Sequence, residues 1–231
     1  MMLGVAGTVA FLGGEVPSSL LLPRQPLDHA ELLRFFDKLG LMRGREGGPD
    51  EPGWVRKWTT PVTVHPRGEA ADAHREQLEG VLEQIATWTG LPFRLGPRHA
   101  HPRNSIVVNF VSKSDMKHLY GTDTVLCHTH TEGRRGRLFT ARMDIGEGYA
   151  DCLRHEFMHA LGFDNHWPGG VGGRGAPSVL AKRQAPERSR DFSSWDRFAI
   201  RLLYDPRLRP GTPRHKALPV ARDITAELLS I

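Results

Sequence analysis

His155 and His159 lie about one helical turn apart, with Glu156 beside the first, in a stretch, 147–161, that reads as a helix closed by Gly162. At 3.6 residues per turn, positions 155 and 159 share one face, and two imidazoles there can reach a single metal ion at about 2.0–2.1 Å. Glu156 borders that face. A carboxylate in this place can take the proton of a water activated by zinc and later hand it to a leaving amine. Phe157, Met158 and Leu161 supply an apolar side for packing. Gly162 can enter the left-handed region, end the helix and fold the chain back, which a third ligand from the next few residues requires.

The rest of the chain supplies a frame for such a helix. Asp28 to Leu39 predicts a short helix capped by Asp28, with Leu32, Phe35, Phe36 and Leu39 at helical spacing. A Gly- and Pro-rich loop follows to Gly53. Trp54 to Val64 alternates like a strand, and Pro61 suits an edge or a strand start. Glu69 to Thr89 is the longest helical pattern, with Leu78, Val81, Leu82, Ile85 and Trp88 as its buried stripe and Gly90 as its stop. Asn104 to Val111 is the best central strand, and Arg137 to Ile145 alternates as another beside the motif. Pro168 to Pro177 reads as a loop, and Asp191 to Tyr204 as a helix capped by Ser193 or Ser194. Pro206, Pro210 and Pro213 should lead the chain out of compact structure, with one short helix at Asp223 to Leu229. This order of elements predicts an α/β or α+β fold with the motif helix central. Residues 1–53 are expected to be leader, linker or prosegment with a short helix, 54–210 the catalytic domain, and 211–231 a tail.

The stretch resembles the metzincin-type zinc peptidases, whose longer motif is H-E-x-x-H-x-x-G-x-x-H. His155, Glu156, His159 and Gly162 match; the final position in strict register is Asn165, and the histidine follows at His166. His166 is the expected third zinc ligand, with Asp164 as the rival and the Asn165 amide a poor ligand. Asp196, Ile200, Leu203 and Tyr204 are similar to the helix that follows the methionine turn in that group. Pro177-Ser178-Val179-Leu180 stands in the place of the turn, with Leu180 for methionine. The resemblance implies a zincin fold: a mixed, mostly parallel sheet packed on the long helix and the motif helix, Zn²⁺ as cofactor, and a peptide or protein substrate laid along an edge strand, assigned to Arg137–Ile145. Over most of its length the chain also resembles an uncharacterised bacterial family, through Trp58 with Pro61-Val62, Ala86 to Leu91, Asn104 to Val111, Cys127 and Cys152, and the close at 202–207. Many members of that family read E-E-x-x-Q where this chain reads H-E-x-x-H, so catalysis must rest on these residues and not on the scaffold.

The remaining features narrow the partners. Of 231 residues, 31 are Lys or Arg against 26 Asp or Glu, a net charge of +5. The basic stretches at 134–137, 182–190 and 201–214 hold Gly or Pro and, apart from Tyr204, no aromatic residue, which suits a solvated surface better than a nucleic-acid platform. Cys127 and Cys152 lie in no C-x-x-C pair. They fit one disulfide in an exported protein or two buried thiols in a cytoplasmic one. Met1 to Gly14 is apolar and uncharged like the core of a signal peptide, without its basic leader, and export is the expectation; no stretch predicts a membrane span. Cys127-His128-Thr129-His130 reads as an exposed polar turn, with a second metal as the sharper alternative. Tyr149 and Tyr204 are oxyanion-donor candidates, Tyr204 reading more readily as core. The sequence therefore predicts a zinc metallopeptidase with Glu156 as general base. The rival is a catalytically silent metal-bound or metal-free binding domain of the cell envelope.

Overall fold

The computed structural model describes residues 28–43, 51–98, 104–122, 124–168, 177–181 and 191–230. The apolar N-terminal stretch, most of the loop at 168–177 and the basic stretch at 182–190 lie outside the described residues. Helix α1 (His29–Phe36) is followed by a π turn (Asp37–Leu41) and a small hairpin of β1 (Met42–Arg43) and β2 (Glu51–Pro52). Then come β3 (Val62–Arg67), α2 (Arg75–Thr89), β4 (Phe93–Leu95), β5 (Ser105–Val111), α3 (Lys113–Tyr120), β6 (Cys127–Arg134) and β7 (Arg137–Gly146). Helices α4 (Leu153–Leu161), α5 (Ser194–Tyr204) and α6 (Arg214–Leu229) complete the chain.

The fold is α+β, built on a five-stranded mixed sheet of order β4-β3-β5-β7-β6, parallel except at β6. The β-branched run expected as the central strand is β5. Its inward side chains continue across the register: Val64 lies opposite Ile106, Ile106 opposite Ala141, Val108 opposite Met143, and Phe110 opposite Ile145. All seven are buried and form the floor on which the helices pack.

The edge of the sheet differs from expectation. The strand at Arg137–Ile145 is not the edge, because β6 pairs antiparallel along its whole length. The segment Cys127-His128-Thr129-His130, expected as a polar turn, is the start of that edge strand. Cys127, Thr129 and Thr131 are half-buried while His128, His130 and Glu132 are exposed, a period-two alternation written almost wholly in polar residues. Arg135 (φ 52°) and Gly136 (φ 78°) turn the hairpin with two positive φ angles, the combination that matches strand twist.

The helical elements are trimmed relative to the sequence pattern. Helix α2 begins at Arg75, after a 3-10 turn at Glu69–Ala71, and ends on Gly90 at φ 70°. Helix α3 was not foreseen; Ser112 caps it by accepting from the Asp115 amide at 3.1 Å. Helix α5 starts after Ser193, whose hydroxyl and Asp196 form a reciprocal capping box.

Both flanking segments join the one core. Leu32, Phe35 and Phe36 of α1 are fully buried, and Phe35 meets Trp167 and Trp195 edge-on at ring separations of 5.2 and 5.4 Å. The chain does not leave compact structure after Pro213: α6 starts at Arg214 and lays Ala217, Ala221 and Ile224 on the core at one-turn spacing. Pro213 sits at the helix entrance, where its missing amide costs no hydrogen bond. Arg214 then grips Asp37 through two bonds of 2.7 and 2.6 Å.

Cys127 and Cys152 form a disulfide, Cα atoms 6.4 Å apart, joining the start of β6 to the start of α4. Closing this loop, with a sequence separation of 25, restricts the unfolded chain. Replacing both cysteines with serine should lower unfolding free energy by about 3 kcal/mol in urea titrations.

Candidate functional site

Helix α4 runs from Leu153 to Leu161, shorter than the expected 147–161. Gly146 and Gly148 (φ 80°) break the preceding backbone, and only a 3-10 turn at Ala150–Cys152 leads in. Leu153, Phe157, Ala160 and Leu161 are buried and seat the helix against β6 and β7. Its last four carbonyls all find donors. Met158 and His159 accept from the Phe163 and Gly162 amides, Ala160 from the Trp58 indole at 2.8 Å, and Leu161 from the Tyr204 hydroxyl at 3.0 Å. Tyr204 is thus buried in the core and caps this helix, and burial pushes its phenol well above the ordinary range.

His155 and His159 project on one face, as their spacing predicts, with ring centroids 4.9 Å apart. Each Nδ1 lies 2.6 Å from a carbonyl oxygen, His155 on Val179 and His159 on Phe163. A carbonyl can only accept, so both Nδ1 atoms carry the proton and both Nε2 atoms of the neutral rings present lone pairs. Burial pushes the His159 imidazole below its ordinary value and favours that neutral form. The two Nε2 atoms nonetheless face each other at 3.2 Å, and His166 Nε2 stands 3.1 Å from that of His155. Lone pairs at this distance repel unless a cation lies between them. A tetrahedral zinc site with bonds of about 2.0–2.1 Å sets its ligand nitrogens about 3.3 Å apart. Among the described residues, His155, His159 and His166 are the one group of three or more with metal-ligand spacing.

Gly162 makes the fold-back. It sits at φ 117°, and a Cβ there would come within 2.1 Å of the Arg56 carbonyl oxygen. Beyond it, Asp164 turns away from the imidazoles. Arg56 Nη1 donates to its two oxygens at 2.7 and 2.8 Å, and Arg43 pairs with it as well. Asn165 Oδ1 accepts from the His166 amide at 3.2 Å. Of the three candidates in this stretch, His166 is the residue brought to the pair on α4. Two guanidiniums on one carboxylate leave this corner positively charged, and burial, reinforced by the Arg56 charge, lowers Arg43 to about 10.

The segment in the place of the methionine turn lies on the other side. Leu180 is fully buried, and Val179 gives the carbonyl that orients His155. Asp196 of α5 fixes this turn: it accepts from Ser178 Oγ at 2.6 Å and from the Val179 amide at 3.2 Å. Burial raises the Asp196 carboxyl above the usual range, partly offset by these donors and those of Ser193. A chain of contacts thus runs from the capping box of α5 through the turn at Ser178 and Val179 to the His155 ring.

Glu156 is 4% exposed and tucked against the edge strand, where Thr129 Oγ1 donates to its Oε2 at 2.6 Å. The Thr129 hydroxyl and the Arg56 guanidinium have no role in the sequence reading, and Trp58 and Val179 stand there only as marks of resemblance, without their contacts to α4 and His155. The alternation of Cys127, Thr129 and Thr131 was the trace in the sequence that could have exposed Thr129. Tyr149, the other oxyanion candidate, is half-buried, with Lys113 Nζ 6.0 Å from its ring.

No curated protein matches the chain. A family model does, across residues 30–223, which takes in α1, the whole sheet and all three imidazoles. The chain therefore belongs to the family described as Protein of unknown function (DUF2927).

Proposed function

We propose that the protein is a zinc-dependent peptidase of metzincin-like fold. The observation that carries this reading is the 3.2 Å approach of the His155 and His159 Nε2 atoms, both made acceptors by carbonyls behind them. His155, His159 and His166 would hold Zn²⁺, which would supply a Lewis acid for a peptide carbonyl and a water. Glu156, adjacent to His155 in the chain, takes the proton from the attacking water and returns it to the departing amine. Among the described residues the backbone rim of β6 has its strand neighbour on the β7 side alone, which suits an extended substrate added as a further strand. The order of the sheet, with one antiparallel strand at its edge beside the motif helix, supports the likeness in fold. The disulfide supports export to an oxidising compartment. Among the described residues no helix is long and apolar enough to cross a membrane.

Elemental analysis tests the metal first. One zinc per chain is expected in the wild type, and His166→Ala should bind zinc at least about 10-fold more weakly in competition with a chromophoric chelator. Hydrolysis of a broad peptide library that stops on chelation and returns with zinc is the companion result. Stoichiometric zinc without any cleavage would instead support a silent metal-bound domain.

A further inference from the structure

Three successive inward-facing side chains of β6 are tied in turn to the 3-10 turn that leads into α4, to α4 itself and, through Arg56, to the loop after it. Cys127 is bonded to Cys152, and Thr129 reaches Glu156 Oε2 at 2.6 Å. Thr131 Oγ1 accepts at 2.6 Å from Nη2 of Arg56, whose Nη1 holds Asp164. The spacing is geometric: alternate residues of a strand share a face, and Cys152 and Glu156 lie one helical turn apart. Thr129 is therefore the middle tie of three, flanked by a covalent bond and by a charged network that fix the strand against the helix at both ends.

That placement gives the hydroxyl one task. An ionised carboxylate only accepts, so Thr129 is the donor. Its oxygen also lies 3.2 Å from the Glu156 carbonyl, but the 2.6 Å contact with Oε2 has the length of a charge-assisted bond and takes the proton. A β-branched side chain has little freedom about χ1, so the direction of the bond is set by the strand. A carboxylate so enclosed needs a donor, because burying it without one costs several kcal/mol, roughly.

We propose that Thr129 is a positioning residue for Glu156: from the edge strand it holds the carboxylate at the orientation used for proton transfer. This rests on the peptidase reading. The base is then aimed from the neighbouring edge strand and not by its own helix alone, and the strand offered to the substrate is the one that sets the base.

In the zinc-loaded full chain, Thr129→Val should lower kcat for peptide hydrolysis about 10- to 100-fold with KM and zinc affinity unchanged, and Thr129→Ser should restore most of the rate. In the cobalt-substituted chain, the pH midpoint of the visible absorption should move in the valine variant and return in the serine variant. A valine variant with wild-type kcat, or a serine variant as impaired as valine, overturns the proposal. If the wild-type chain cleaves no peptide, the cobalt measurement decides alone. A valine-specific shift upholds the positioning role while the peptidase reading fails; no shift, or no uptake of cobalt, overturns the positioning role as well.

Discussion

Glu156→Gln should bind zinc as tightly as the wild type and hydrolyse peptides about 10²- to 10⁴-fold more slowly, the usual contribution of a general acid–base residue. The substitution keeps the shape of the side chain, and the amide oxygen of glutamine can still accept from Thr129. The helix, the disulfide and the three imidazoles are therefore left in place. What disappears is the ability to hold a proton between attack and departure. Comparing kcat/KM with zinc content on the same preparations separates the two effects. Undiminished hydrolysis by a zinc-replete Gln variant would remove Glu156 from the reaction, and with it the mechanism proposed for this fold.

The largest loss of stability is expected from Gly162→Ala. Residue 162 combines φ 117° with a Cβ position 2.1 Å from the Arg56 carbonyl oxygen. The neighbour that would have to yield is backbone. Arg56 also carries the bonds to Asp164 and Thr131, and Trp58, two residues on, caps α4. Moving this segment would disturb the turn that delivers His166 to the other two rings. A destabilisation of about 3 kcal/mol or more is expected in denaturant titrations, near the upper end for single substitutions, with weakened zinc binding. Gly90→Ala is the control. Gly90 also has a positive φ, 70°, but nothing lies within 4 Å of its Cβ position, so it should cost only about 1 kcal/mol and leave zinc binding unchanged. Equal losses at the two sites would show that backbone conformation, and not the close approach of Arg56, explains the glycine.

Patterns within one element were readable in the sequence. The stripe of Leu78, Val81, Leu82 and Ile85, the run Asn104 to Val111, a serine cap at 193 or 194 and the Gly162 stop each depend on residues only a few positions apart, and each appears in the structure, with the cap on Ser193 and with Trp88, expected in the same stripe, only half-buried. The edge strand escaped because its half-buried face is made of cysteine and threonine, with no aliphatic or aromatic residue to mark a strand. Of α6, the sequence showed only the end, Asp223 to Leu229; its first half escaped because alanines at 217 and 221 bury little area each, while Pro213 before it and Pro219 within it advertise a break.

The pairing of two imidazoles and a carboxylate on one helix was determined locally, by 3.6 residues per turn and by a glycine able to end that helix. Which residue of Asp164, Asn165 and His166 would turn to meet them was decided only in the folded chain. Arg56, 108 positions away, brings a guanidinium that claims the Asp164 carboxylate, and Val179, 24 positions away, brings the carbonyl that fixes the His155 ring. Spacing along a helix is a property of neighbouring backbone torsions, whereas the competition for a charge or a proton is settled by whatever the tertiary structure places within 3 Å of it.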